Sequence, residues 1–277
     1  MMEPRDVFIP APKPYHWPGI VLRIAILAIG TIVLISLYLL FHAIEIVLPR
    51  LNVTSVIATL WGRLGLFISG VKLEVVGKHM KHGGALVANH SSWLDIFTFH
   101  SAARISFVSK SEVNSWPVIG FLARVTGTLF IERRPSLAKK HQLALLERLD
   151  RGDQLCFFPE GTSTDGRRIF EFKSTLFSVF HTPELIDHVW VQPATATYFA
   201  PNGQAADFYG WWGAMEFAPH IFAVLAYSRG GRVRVTLHDP VKASDFSTRK
   251  ELARHCEAQV RAGFAKDLGV AVTEVSR

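Results

Sequence analysis

Apolar and polar positions divide this chain into three unlike stretches. From Ile24 to Ile44 the run "IAILAIGTIVLISLYLLFHAI" holds no acidic residue, lysine or arginine, and its most polar member is His42. As a helix it would measure about 31 Å at ~1.5 Å per residue, enough to cross the hydrocarbon layer of a bilayer. The run is too long for a cleavable signal peptide, and no small-residue cleavage site follows it. Tyr15 and Trp17, just before it, suit a headgroup interface. Pro49 closes the segment, and Val53, Val56, Ile57, Leu60, Trp61, Leu64, Phe67 and Ile68 then recur at the spacing of one helical face. Such a helix packs on the domain or lies in a membrane surface.

Beyond residue 70 the period shortens. "VKLEVVG" (71–77) alternates with period two, and "GALVAN" (84–89), "ISFVS" (105–109), "TLFIE" (128–132) and "QLCFF" (154–158) are compact β-rich runs. "VWVQPATATYF" (189–199) and "RVRVTLH" (232–238) complete the predicted strands. Helices are predicted from about residue 92, after Pro117, and from Ser136 as N-cap to Arg151, with Gly152 just past the end. A last helix opens on the capping box Thr248 to Glu251 and runs to about Arg261. In "WWGAMEFAPH" Pro219 argues against a regular helix, so Glu216 and His220 read as part of a structural aromatic cap. This alternation predicts an α/β fold: a single domain with a mixed, largely parallel central sheet flanked by helices, plus an N-terminal hydrophobic membrane-anchoring helix. Residues 1–50 are then tail and anchor, and 51–277 the domain.

A formal charge of +7 favours an anionic partner, which nucleic acid, an acidic membrane surface or a phosphorylated substrate would each supply. Zinc-finger spacing and an RNP-type aromatic strand are both missing, and the apolar N-terminal run shifts the balance from nucleic acid to membrane. Cys156 and Cys256 cannot make a disulfide framework, and Cys156 within "QLCFFPE" reads as a buried thiol.

Candidate chemistry collects in three polar loops after strands, where sites form in such sheets. In "VANHSSWLDIFTF" (87–99) His90 and Asp95 are the ionisable pair. Histidine takes a proton near neutral pH, and a carboxylate fixes its tautomer and stabilises the imidazolium. Five residues along a regular helix separate two groups by ~7.5 Å of rise and ~140° of turn. The pair meets only if His90 sits in the loop and folds back over the first helical turn. The alternative is a capping box from Ser92 to Asp95 beside an ordinary loop histidine. In "FFPEGTSTDGRRIFEFKS" (157–174) Glu160 stands at the end of a strand, and the Gly161 and Thr162 amides, with Arg167, Arg168 and Lys173, could gather around an anion. A bland turn would use the same glycine and aspartate. "GTLFIERRP" sets Arg133 and Arg134 directly after a strand. There is no G-x-S-x-G elbow and no H-E-x-x-H, so serine hydrolysis and metal use lack support.

Across about residues 70–200 these loops resemble the glycerolipid (lysophosphatidic acid) acyltransferase family, whose blocks occur in order as "NHSSWLD", "GTLFIER", "FPEGT" and "VQPATATY". The resemblance implies an O-acyltransferase of the bacterial inner membrane with its catalytic domain facing the cytoplasm. It implies His90 as general base, acting on the hydroxyl of a lysolipid acceptor that attacks the thioester of acyl-CoA or acyl-carrier protein, and Asp95 as its orienting partner. Phe130 and Arg133, with Glu160, Gly161 and Thr162, would build the acceptor pocket, Arg133 facing phosphate, and Lys173 matches a lysine that often follows the third block. No metal or organic cofactor is expected beyond the acyl donor, and no nucleic acid. The expected acceptor is 1-acyl-sn-glycerol-3-phosphate. Ser163 stands where many members carry arginine, and "EGTSTDG" with "SKSEVNSWPVIGFLAR" also looks like bacterial enzymes that acylate lyso-ornithine lipid. A non-catalytic membrane lipid-binding protein is the alternative of another class.

Overall fold

The computed structural model describes residues 9–48, 51, 53–132 and 138–276. Seven strands form one sheet in the order β1-β7-β6-β2-β5-β3-β4. They are β1 (Val71–Val76), β2 (Gly84–Ala88), β3 (Ser106–Lys110), β4 (Leu129–Ile131), β5 (Gln154–Phe157), β6 (Trp190–Phe199) and β7 (Gly231–Leu237). A two-residue β8 (Val241–Lys242), which the pattern did not predict, pairs antiparallel with the start of β6. Five neighbouring strands, β6 to β4, run parallel, and β7 and β1 form a reversed pair beside them.

Central β2 and the inner part of β6 are buried throughout. A parallel strand covered on both faces reads as a continuous apolar run, which is the character of "GALVA". Ala85 and Val87 join a core with Phe177, Phe180, Val260 and Phe264 on one face. Leu86 and Ala88 join Phe99, Cys156 and Val235 on the other. Cys156 is fully buried, and burial pushes its thiol well above the ordinary range, so it packs as a small apolar group.

Helices cover both faces: α1 (Trp17–Val47), α2 (Val53–Ser69), α3 (Asp95–Ala102), α4 (Ile119–Val125), α5 (Ala138–Asp150), α6 (Phe217–Tyr227) and α7 (Arg249–Leu268). α6 corrects the expectation for "WWGAMEFAPH". Pro219 falls in its first turn, where the missing N–H has no intrahelical partner to lose. α7 continues past Arg261 to Leu268 and ends on Gly269 at φ +68°, a left-handed cap. Ser136, Arg133, Arg134 and Pro49 lie outside the described residues.

α1 is long and apolar enough to cross a membrane. It also docks along the domain. Ile20 is buried against Ile68 and Leu225, the Arg23 guanidinium donates to the Leu225 carbonyl at 2.7 Å, and Trp61 Nε1 donates to Thr31 Oγ1 at 3.1 Å. At its far end Glu45 caps α2, accepting from the backbone N–H groups of Val53 and Thr54 and from the Thr54 hydroxyl. The predicted apolar face of α2 is split by the fold. Ile57 and Ile68 turn inward, but the closest approach is made by Gly62 and Gly65, where a Cβ would lie 2.7 Å from the Phe97 carbonyl oxygen and 2.2 Å from the Phe97 ring. Val56, Leu60 and Phe67 point outward.

Candidate active site

β2 ends at Ala88, and the next residue sets the loop. The Asn89 side chain imitates a strand, donating to the Ala196 carbonyl at 2.9 Å and accepting from the Ala196 N–H at 2.8 Å. The chain then turns through His90 to Trp93 and enters α3 at Asp95. His90 folds back over that first turn as the five-residue spacing requires, with Nδ1 2.7 Å from Asp95 Oδ2. The same oxygen accepts from the backbone N–H groups of Ser91 at 2.8 Å and Ser92 at 3.0 Å. Half of the capping box is therefore present, and it coexists with the histidine contact. Ser92 Oγ has no partner among the described residues, so the other half is not. Asp95 Oδ1 accepts from the Tyr198 hydroxyl at 2.7 Å.

Asp95 is fully buried, and the His90 side chain keeps 23% of its exposure. One face of the imidazole stacks on Phe158, with centroids 4.2 Å apart and planes at 9°. Its backbone is pinned from both sides: the N–H donates to Glu160 Oε1 at 2.7 Å, and the carbonyl accepts from the Thr164 N–H at 2.9 Å. With Nδ1 engaged by Asp95, Nε2 is the nitrogen left for a substrate.

Glu160 follows the end of β5, and it is turned inward instead of lining the cavity. It is buried and braces two loops, its second oxygen accepting from the Phe170 N–H at 2.6 Å. Burial pushes its carboxyl up to about 8, against the pull of the Phe170 and His90 N–H groups on the charged form. Gly161, at φ +72°, begins the turn that carries Thr162 and Ser163 onto the cavity wall. Arg168 is committed to Asp165, with Nε at 3.0 Å and Nη2 at 2.9 Å from one carboxylate oxygen. Lys173 is exposed. Phe130 sits in β4 between Leu129 and Ile131, half-buried and paired with Ser109 across the sheet. The structure thus gathers His90, Asp95, Glu160, Gly161 and Thr162 at the carboxyl ends of adjacent β2 and β5, and leaves Phe130 and Lys173 off the cavity lining.

His90, Thr162 and Ser163 open on a cavity of about 1210 Å³. Its walls are mostly apolar and come from the sheet and from α1, α2, α4 and α6, Leu27, Trp61, Leu122 and Ile221 among them. A volume of this size, with mostly apolar walls and His90 on its lining, fits a long hydrocarbon chain bearing one reactive head. Trp211 lines the cavity, its backbone N–H donating to the Ser91 carbonyl at 2.9 Å. His220 is structural: Nδ1 accepts from Trp93 Nε1 at 2.9 Å, and burial holds it at about 4, in the neutral form that this bond needs. Phe158, Thr164, Trp211 and Tyr198 carry parts of the site that the sequence pattern does not single out. Tyr198 alone left a signal there, as a hydroxyl at the end of a strand otherwise fit for burial, where a phenol needs a partner.

Residues 72–196 match the family model described as Acyltransferase. The chain is 50% identical over 204 residues to a lyso-ornithine lipid O-acyltransferase of Rhodobacter capsulatus, covering 74% of each protein. It is 36% identical over 207 residues to the enzyme of the same name from Brucella abortus, covering 70% of this chain and 76% of that one. A 1-acyl-sn-glycerol-3-phosphate acyltransferase of Neisseria gonorrhoeae is 35% identical over 130 residues, covering 47% and 51%. Among solved structures, the 1-acyl-sn-glycerophosphate acyltransferase PlsC of Thermotoga maritima shares the fold at a TM-score of 0.59 and 20% identity, covering 86% of this chain and 96% of that one. With 50% identity across the 74% of each chain that aligns with the Rhodobacter protein, and a family model over its motif core, this chain belongs to the acyltransferase family and is an acyltransferase.

Proposed function

We propose that the chain moves a fatty acyl group from a thioester donor, acyl-CoA or acyl-carrier protein, to the free hydroxyl of a lysolipid, with lyso-ornithine lipid the favoured acceptor. The observation that carries the reaction is the 2.7 Å contact of His90 Nδ1 with buried Asp95, with His90 on the lining of a mostly apolar cavity. His90 Nε2 takes the proton of the acceptor hydroxyl, whose oxygen bonds to the thioester carbonyl carbon. The resulting imidazolium is stabilised by Asp95. The carbon–sulfur bond then breaks, the ester is released, and the proton passes to the departing thiolate. A thiol leaves readily, so the protein's share is positioning and proton transfer, and no metal or organic cofactor is required.

The order of acceptors reverses the expectation from sequence. The relatives with the broadest coverage carry the lyso-ornithine name. Ser163 supplies no charge where arginine would, and Arg168 is neutralised by Asp165. Acceptance of 1-acyl-sn-glycerol-3-phosphate is the second reading, supported by the Neisseria relative and by the "GTLFIER" block, in which Arg133 would face phosphate. The outward apolar residues of α1 and α2 support work at a lipid surface, and the family resemblance supports the cytoplasmic face of the inner membrane as that surface.

The purified chain, given one acyl donor and each acceptor in turn, tests this. Thiol release is expected with both, faster with lyso-ornithine lipid, and lowered at least about a hundredfold by His90→Ala. Full transfer by His90→Ala protein would overturn the assignment of the base. Faster turnover of 1-acyl-sn-glycerol-3-phosphate would restore the other acceptor.

A further inference from the structure

Three of the four hydrogen bonds to Asp95 come from its own loop and all end on Oδ2, from the His90 ring and from the Ser91 and Ser92 amides. The fourth comes from across the sheet. Tyr198, near the end of β6, donates its hydroxyl to Oδ1 at 2.7 Å. The direction of this bond follows from chemistry, since an ionised carboxylate has no proton to give. Thr98 Oγ1 lies 2.9 Å from the same phenol oxygen. Tyr198 has committed its single proton to Asp95, so Thr98 is the donor there. The result is an ordered line, Thr98 to Tyr198 to Asp95 to His90, whose first three members are buried. Thr98 sits one turn after Asp95 on α3, so two elements hold the phenol in place. Burial and the adjacent carboxylate keep the Tyr198 hydroxyl protonated well beyond its ordinary range, so it remains a donor at any working pH.

We propose that Tyr198 is a positioning residue for acyl transfer: its bond to Oδ1 sets the carboxylate orientation that aims Oδ2 at His90 and draws off part of the charge that His90 feels. The proposal rests on the reading of His90 as base. Without the phenol, Asp95 would keep its Oδ2 contact with the imidazole but lose the bond that fixes the plane of the carboxylate. A carboxylate relieved of a donor is also more basic and holds the imidazolium proton more firmly.

Tyr198→Phe in the full chain is the test, because it deletes the hydroxyl and keeps the ring that packs on Tyr209. The expected loss is about 10- to 100-fold in kcat, with KM within about twofold. The acid limb of the kcat/KM profile should move to higher pH by about half a unit, since more of the enzyme then carries a protonated base. Thr98→Val should shift both quantities the same way by less. The His90 Nδ1–H resonance in histidine-labelled protein, assigned by its absence in His90→Gln, should exchange with water faster in Tyr198→Phe than in the wild type. Wild-type kcat, or a kcat loss with an unmoved acid limb and only a lower unfolding temperature, would overturn the positioning role. If wild-type protein releases no thiol with any lysolipid, the functional reading fails, and the exchange measurement still decides for Tyr198: an unchanged Nδ1–H rate overturns it, and a faster rate upholds the ordered line.

Discussion

At the scale of single residues, His90 is held by its backbone as much as by its ring. Glu160 takes its N–H and Thr164 donates to its carbonyl, so the imidazole stands on a rigid peptide unit while Asp95 and Phe158 set its plane. The brace has a pH signature. The Glu160 carboxyl is raised from 4.5 to about 8 by burial, so between those values the folded protein holds a proton that the unfolded chain has released. Stability therefore falls as pH rises from about 4.5 through about 8, by a few kcal/mol in order of magnitude. Glu160→Gln should flatten that fall, as read by denaturant unfolding at pH 5, 6.5 and 8, with the wild type losing ground to the variant as pH rises. Parallel curves would show that the carboxyl does not titrate in this range. The carboxylate beside His90 makes a sharper claim. Asp95→Asn keeps the shape, but its amide cannot stabilise an imidazolium, so kcat should fall at least about a hundredfold with little change in KM.

At the scale of elements, α2 shows how a fold can divide one apolar pattern, burying Ile57 and Ile68 and leaving other members outside. The apolar stripe that includes Val56, Leu60 and Phe67 is the obvious sequence signal, and those three residues face outward. The buried contact is made by Gly62 and Gly65, which let α2 approach α3 closely enough for Phe97 to lie against its backbone. Phe97 is two residues from Asp95, so this contact also fixes the entry of α3 into the site. Gly65→Ala should cost about 1–3 kcal/mol of stability by overpacking, and should lower acyl transfer through displacement of α3. Phe97→Leu in the same chain should recover part of both losses. Thermal unfolding and thiol release on the single and double variants check this, and simple additivity would mean the two sites are independent.

At the scale of the whole molecule, α1 and α2 expose an unusual amount of apolar surface. Ile46 and Val47 on α1 are 75% and 77% exposed, and Phe67 on α2 is 79% exposed, beside helices that also wall the cavity. An exposed apolar face of this kind covers itself with lipid or with another protein. Since α1 is bonded to α2 and α6 along its length, binding through this face would bring the cavity and His90 to the surface where a lysolipid resides. Leu60→Glu with Phe67→Glu should reduce co-flotation with lipid vesicles at least about tenfold and leave the unfolding temperature of detergent-solubilised protein nearly unchanged, because both side chains are already outside the core. Undiminished flotation would place the contact elsewhere.

Local pattern was enough for the strand and helix alternation, the long apolar helix and the His90–Asp95 geometry, because each depends on periodicity or on spacing within a few residues. The motif blocks carried the family for the same reason: they are short, ordered and local. Pro219 misled because a proline that breaks a helix interior is harmless in its first turn, and only the surrounding fold decides which turn it occupies. Glu160 was legible as special, but its role as a brace depends on Phe170 and His90, which lie ten and seventy residues away along the chain. Tyr198 meets Asp95 from 103 residues away, and Arg168 is neutralised by a turn whose shape no pattern encodes. Sequence alone determined which chemical groups the protein carries and which segments bury them. The tertiary structure decided which of those groups face one another, since hydrogen bonds act over about 3 Å and only the folded sheet brings distant loops that close.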